Sequence, residues 1–193
     1  MLSSFGARIS LLWFLLANPL LISSQQTTPT VLDTAGQPIR SNTRYYILPV
    51  GTKNGGGAAF VNFNGSCPSF VGLGNHVGSL GLPVTFTPSS GEITVRESSN
   101  FLIKFNVTTT CVESTEWALE GWPAPTGRTL FETTARSTVA AYLKIERNGK
   151  QYKLVWCPSN LCPTCGDVGV YVENKIKLLG LYVSALPVVF RRA

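Results

Sequence analysis

Short runs of apolar and β-branched residues recur along the chain, separated by clusters of Gly, Pro, Asn and Ser. "RYYILPV" (44–50), "AAFVNF" (58–63), "PVTFT" (83–87), "EITVR" (92–96) and "FLIKF" (101–105) come first. "TEWALE" (115–120), "VAAYLKIE" (139–146), "QYKLVW" (151–156), "VGVYVE" (168–173), "IKLLGLYV" (176–183) and "PVVFRR" (187–192) follow. Runs of this length between turn formers predict strands, and roughly eleven of them predict a closed all-β barrel or sandwich. Only "VAAYLKIE" also fits a helical turn. The Asn-Gly step in "RNGK", just before "QYKLVW", favours a hairpin there instead. A threefold repeat of about 55 residues fits the strand count, although it is not visible in the letters.

The first residues follow a different pattern. "MLSSFGARISLLWFLLANPLLISSQQ" places Arg8 before an apolar run from Ile9 to Ile22, then Ser23 and Ser24. That order predicts a secretory leader over residues 1–24 and a mature domain over residues 25–193. The alternative is a buried helix or an anchor, but the run is short for a membrane span and Asn18-Pro19 interrupts it. No second long apolar segment follows, so the expectation is one soluble, secreted domain with no membrane contact after the leader is removed. Secretion leaves open an extracellular or a vacuolar destination.

Of 16 basic residues, Arg8 leaves with the leader, and the remaining 15 face 10 acidic ones. The cations are scattered rather than grouped, so a nucleic-acid partner is not expected and only a mild pull towards anionic partners is left. Catalytic chemistry is equally hard to assemble. The one histidine, His76, lies in the glycine-rich stretch "GLGNHVGSLGL", and a solvated loop residue is the simpler interpretation. "GTKNGGGAAF" lacks the Lys-Ser/Thr ending of a phosphate-binding loop. An enzyme is not expected.

"CPTCGDVGVYV" raises a sharper question, because Cys162-x-x-Cys165 suits a zinc half-site, a redox pair or a disulfide framework. Zinc lacks ligands: His76 is remote in sequence and Asp167 is the one carboxylate beside the pair. A redox pair normally opens a helix, whereas this one runs into β-branched and aromatic residues. In an oxidising route the cysteines pair with one another, so neither a metal nor another cofactor is expected. With three cysteines at 157, 162 and 165, every pairing among them leaves one thiol over. Two acceptors for N-linked sugar, Asn64 in "NGS" and Asn106 in "NVT", complete the secreted picture.

Several segments together resemble the plant Kunitz-type (soybean trypsin inhibitor-like) family, in its miraculin-like branch. They are "VLDTAGQPIRSNTRYYILPV" (31–50), "STEWALE" (114–120), "LKIERNGKQYKLVWCP" (143–158), "CGDVGVYVENK" (165–175) and "LGLYVSALPVVFRRA" (179–193). The resemblance implies a β-trefoil of twelve short strands, six in a barrel and six capping it, stapled by Cys67–Cys111 and Cys157–Cys165. It leaves Cys162 unpaired: free, capped by a small molecule, or linking two chains into a disulfide-bonded homodimer.

The resemblance also implies a function, inhibition of a serine protease by a substrate-like surface loop held rigid so that little ordering entropy is lost on binding. The position of that loop falls on Pro88, Ser89, Ser90, Gly91, Glu92 and Ile93, continuing to Val95, with the specificity residue at Ser90, Gly91 or Glu92. The family braces its loop with an Asn at the position of Ser41; here Asn42 is one place away. No Arg or Lys occurs between His76 and Arg96, so a pocket carrying a carboxylate, as in trypsin, lacks its cation. The expectation is therefore an inhibitor that serves trypsin poorly. The alternative is a non-inhibitory miraculin-like or storage and defence protein; carbohydrate binding rests on fold analogy alone.

Overall fold

A computed structural model describes residues 28–51, 55–63, 65, 67–120, 128–133, 139–157 and 165–193. Twelve strands follow one another: β1 (Tyr45–Pro49), β2 (Ala58–Val61), β3 (Phe70–Leu73), β4 (Val84–Pro88), β5 (Phe101–Phe105) and β6 (Ala118–Leu119). β7 (Phe131–Glu132), β8 (Leu143–Asn148), β9 (Gln151–Trp156), β10 (Gly166–Glu173), β11 (Ile176–Leu181) and β12 (Val188–Arg192) complete them. The pairings β1–β4, β4–β5, β5–β8, β8–β9, β9–β12 and β12–β1 close a six-stranded antiparallel barrel. The other six strands form three hairpins, β2–β3, β6–β7 and β10–β11, joined into a cap. Each successive group of four strands thus supplies two barrel strands and one cap hairpin. This is a β-trefoil, and the threefold repeat absent from the letters is present in the topology.

Alternation drives the barrel. β4 (VTFTP) and β5 (FLIKF) send Val84, Phe86, Phe101, Ile103 and Phe105 inward while Thr87 and Lys104 face out. Those five inward residues are fully buried, together with Leu143, Ile145 and Phe190. Phe86 sits between Phe101 and Phe190 with ring centroids at 5.5 and 5.6 Å, both edge to face, the arrangement that aromatic quadrupoles favour. Full burial of each such side chain contributes about 1.5–3 kcal/mol, so the barrel interior is the main source of rigidity. A smaller cluster is built from the cap itself: Phe70 on β3, Leu178 on β11 and Leu130 just before β7.

The differences from the sequence pattern have physical causes. The run 92–96 makes only isolated bridges, Arg40 with Thr94 and Thr30 with Arg96, because its partner is the N-terminal segment rather than a strand. β3 was hidden because all four of its residues are buried, so it shows no alternation. β7 is two residues long, too short to carry a period. The hairpin at Asn148-Gly149 forms as expected, with Asn148 opposite Gln151 and Gly149 at φ 62°. Disulfides join Cys67 to Cys111 (Cα–Cα 5.3 Å) and Cys157 to Cys165 (4.4 Å), the pairing the resemblance implies. The expected leader (1–24), Cys162 and Asn64 lie outside the described residues.

Candidate functional site

Residues 89–100 connect β4 to β5 and, with Pro88 at the end of β4, contain the candidate loop. Pro88 is buried and pairs with Phe101, so it belongs to the barrel rim rather than to the exposed part. The Ser89 N–H donates to the Asn100 carbonyl at 2.9 Å and carries the hairpin one step further. The Gly91 N–H then closes a turn onto the Pro88 carbonyl at 3.1 Å. Gly91 takes φ 73°, and a Cβ there would meet nothing within 4 Å, so the turn needs glycine for its backbone and not for space. Ser89, Ser90, Gly91, Glu92 and Ile93 are all exposed.

Beyond the turn the chain is held by residues 29–41, a strap that sends Val31 and Ile39 into the core. Ser41 N–H donates to the Ile93 carbonyl at 2.7 Å, and Val95 N–H to the Ile39 carbonyl at 2.9 Å. Val31 N–H donates to the Val95 carbonyl at 3.0 Å, and Glu97 N–H to the Pro29 carbonyl at 2.8 Å. Val95 points inward and is fully buried with Val31 and Ile39, whereas Ile93, two residues earlier, is 67% exposed. Buried apolar contact and backbone hydrogen bonds therefore fix one face of the segment while leaving the other for a partner.

The strap is itself fastened to the barrel by two tyrosines that were not singled out from sequence. The Tyr45 hydroxyl accepts from Arg40 N–H at 3.1 Å, and the Tyr152 hydroxyl accepts from Leu32 N–H at 3.0 Å. Arg147 lies 4.4 Å from the Tyr152 ring centroid and pairs with Glu97 at 2.6 Å, tying the far end of the loop to β8. Asp33 closes the strap's own turn, its Oδ1 accepting from Ala35 and Gln37 N–H, each at 2.9 Å. A buried tyrosine needs a partner for its hydroxyl, which was the signal available in the letters.

Of the expected braces, Ser41 acts through its main-chain N–H, and Asn42 is exposed at φ 58° in the adjoining turn. One ion pair lies within the loop: Arg96 Nε is 2.7 Å from Glu92 Oε2, and Arg96 Nη1 donates to the Thr28 carbonyl at 3.2 Å. His76 is exposed between β3 and β4, away from these residues in sequence. Asn106 follows β5 and is exposed, its N–H bound to the Pro83 carbonyl at 2.7 Å.

A small barrel that props up one extended surface segment is the layout of a trefoil inhibitor scaffold. The sequence matches the legume Kunitz family model, described as trypsin and protease inhibitor, over residues 31–192. The chain belongs to that family. Kunitz type trypsin inhibitor 104 of Medicago truncatula is 38% identical over 196 residues, covering 95% of this chain and 98% of the relative. The rice (Oryza sativa) bifunctional alpha-amylase/subtilisin inhibitor structure superposes with a TM-score of 0.73 at 32% identity, covering 86% of this chain and 99% of that one. Soybean trypsin inhibitor, in its complex with porcine pancreatic trypsin, matches with a TM-score of 0.71 at 26% identity, covering 84% and 98%.

Proposed function

We propose that this protein inhibits a serine protease by presenting the exposed face of residues 89–95 to the enzyme's cleft. The observation that carries this is the double fastening of the segment: strap to loop by main-chain hydrogen bonds, strap to barrel by Tyr45 and Tyr152. A segment held in this way loses little conformational freedom on docking, so more of the contact energy survives as affinity. If the protease cuts the loop, Val95 and the strap keep the new end near its partner, and resealing competes with release. The family relationship and the inhibitor names of its relatives support the same reading.

Trypsin is expected to be a poor target. A neutral or acidic loop forgoes pairing with the carboxylate of its pocket, worth about 2–5 kcal/mol at a buried site, or roughly 30- to 4,000-fold in affinity. The test is steady-state inhibition of trypsin, chymotrypsin, elastase and subtilisin, repeated with Ser89–Ile93 replaced by a Gly-Ser linker of equal length. Competitive inhibition of at least one enzyme, lost with the linker, is the expected result. Undiminished inhibition by the linker variant would move the site elsewhere on the surface. Export through a leader removed after Ser24 is part of the same proposal, and N-terminal sequencing of the natural protein tests it.

A further inference from the structure

A protease takes an inhibitory segment as an added extended strand, so residues folded into a turn cannot enter its primary pocket. Ser89 and Ser90 lie inside the turn closed from Gly91 to Pro88, and Gly91 stands at φ 73°. Thr94 is bridged to Arg40, and Val95 is fully buried on the barrel side. Glu92 and Ile93 are what is left: adjacent, exposed, and placed where the chain leaves the turn and begins to run along the strap. The Glu92 carboxylate is 46% exposed and already accepts a guanidinium, that of Arg96, at 2.7 Å.

We propose that Glu92 is the specificity residue and that the target is a serine protease with a cationic primary pocket, one that cleaves after acidic side chains. This rests on the inhibitor reading above. A carboxylate entering trypsin's pocket meets like charge, and one entering an apolar pocket loses its hydration without replacement. A pocket lined by a guanidinium, ammonium or imidazolium restores both the charge pairing and the hydrogen bonds. Leaving Arg96 costs little. Exposed pairs of this kind are weak, so the exchange lowers affinity by about fivefold at most. Arg96 keeps its bond to the Thr28 carbonyl and so stays in place when Glu92 turns outward.

The experiment measures inhibition constants of the wild type, Glu92→Gln, Glu92→Arg and Arg96→Gln against a glutamate-specific serine endopeptidase, trypsin, chymotrypsin and elastase. The wild type is expected to bind the glutamate-specific enzyme tightest. Glu92→Gln should weaken that binding by about thirtyfold or more, while Arg96→Gln changes it by less than about fivefold. Glu92→Arg should abolish it and gain at least about a hundredfold against trypsin. Equal losses from Glu92→Gln and Arg96→Gln would make Glu92 an internal strut and overturn the assignment. A gain of trypsin binding by Glu92→Arg without any wild-type action on the glutamate-specific enzyme would overturn the cationic-pocket class. Tight inhibition of chymotrypsin or elastase that is indifferent to position 92 would also overturn the proposal, with the inhibitor reading intact. No inhibition by any of the four proteins would sink both.

Discussion

Ile93 and Val95 sit two residues apart, the first exposed at a bend and the second buried, so substituting each by Ala separates the contact surface from its anchorage. Val95 is fully buried between the strap and the barrel, among residues that include Val31 and Ile39. Val95→Ala removes two buried methyl groups, about 1.6 kcal/mol of transfer free energy. A cavity that relaxes only in part adds roughly 1 kcal/mol. The expected loss is thus about 2–3 kcal/mol, or about 5–10 °C in Tm for a domain of this size. Ile93 is 67% exposed, so Ile93→Ala should stay within about 0.5 kcal/mol of wild type. In binding the order reverses: Ile93 loses contact area against the protease, weakening inhibition by about tenfold, while Val95→Ala assayed well below its Tm should change it less. Urea unfolding and inhibition titrations on the two variants decide the matter. Equal destabilisation by both, or inhibition hit harder at Val95 than at Ile93, would refute the division into contact and anchor.

Replacing Cys67 and Cys111 by Ser should cost about 4 kcal/mol, and replacing Cys157 and Cys165 about 2.5 kcal/mol, because the first bridge closes the longer loop; unfolding midpoints of the two double variants rank them. Non-reducing gels of the wild type and of Cys162→Ser separate the three fates of the fifth cysteine: if it is exposed and links two chains, a reducible dimer is expected that the variant lacks, and a monomer in both leaves it free or capped. Burial holds the Glu120 carboxyl above its ordinary value of 4.5, with nearby Arg128 opposing. Its stabilising protonation is complete below the ordinary value and is lost as pH rises through the raised one, so Glu120→Gln should stabilise at pH 7 and do nothing at pH 3. The hydrogen bond from Lys153 to Asp167 at 2.7 Å raises the lysine above its ordinary 10.5, against partial burial and with help from Glu146. That contribution is present below pH 10.5 and fades above it, so Lys153→Met should flatten the alkaline limb of the stability curve. Protein from its natural source should gain mobility on treatment with an Asn-glycan-releasing enzyme, and Asn64→Gln with Asn106→Gln together should remove the effect.

Which parts of this molecule its letters disclose depends on the distance over which each interaction is encoded. β4 and β5 were legible because burial on one face writes itself as a period of two, and the pattern needs no knowledge of the partner strand. β3 broke that rule. Its four residues are all buried, and Gly72 lies so close to the Lys177 carbonyl that a Cβ would stand 2.2 Å from it. Such close approach leaves no local signature, since a glycine in a loop looks the same. The loop was legible in a third way. Ile93 and Val95 alternate with polar Glu92, Thr94 and Arg96, which makes 92–96 look like a strand, but a bend at Ile93 leaves that side chain exposed while Val95 is buried, and the partner is a strap with bridges at single residues. The strap's attachment could not have been read at all. Leu32 meets the Tyr152 hydroxyl across 120 residues, and nothing near Leu32 says which hydroxyl will arrive. The buried position of Tyr152 on a strand does say that its hydroxyl must find some partner. Sequence can therefore state the need for a brace and leave its identity to the barrel's closure, which brings β9, β12 and the strap together. By the same logic the specificity residue is a matter of backbone before side chain. Ser90, Gly91 and Glu92 are three candidates in the letters, and the proposal of Glu92 rests on the turn that Gly91 closes onto Pro88 and on the positive φ of Gly91.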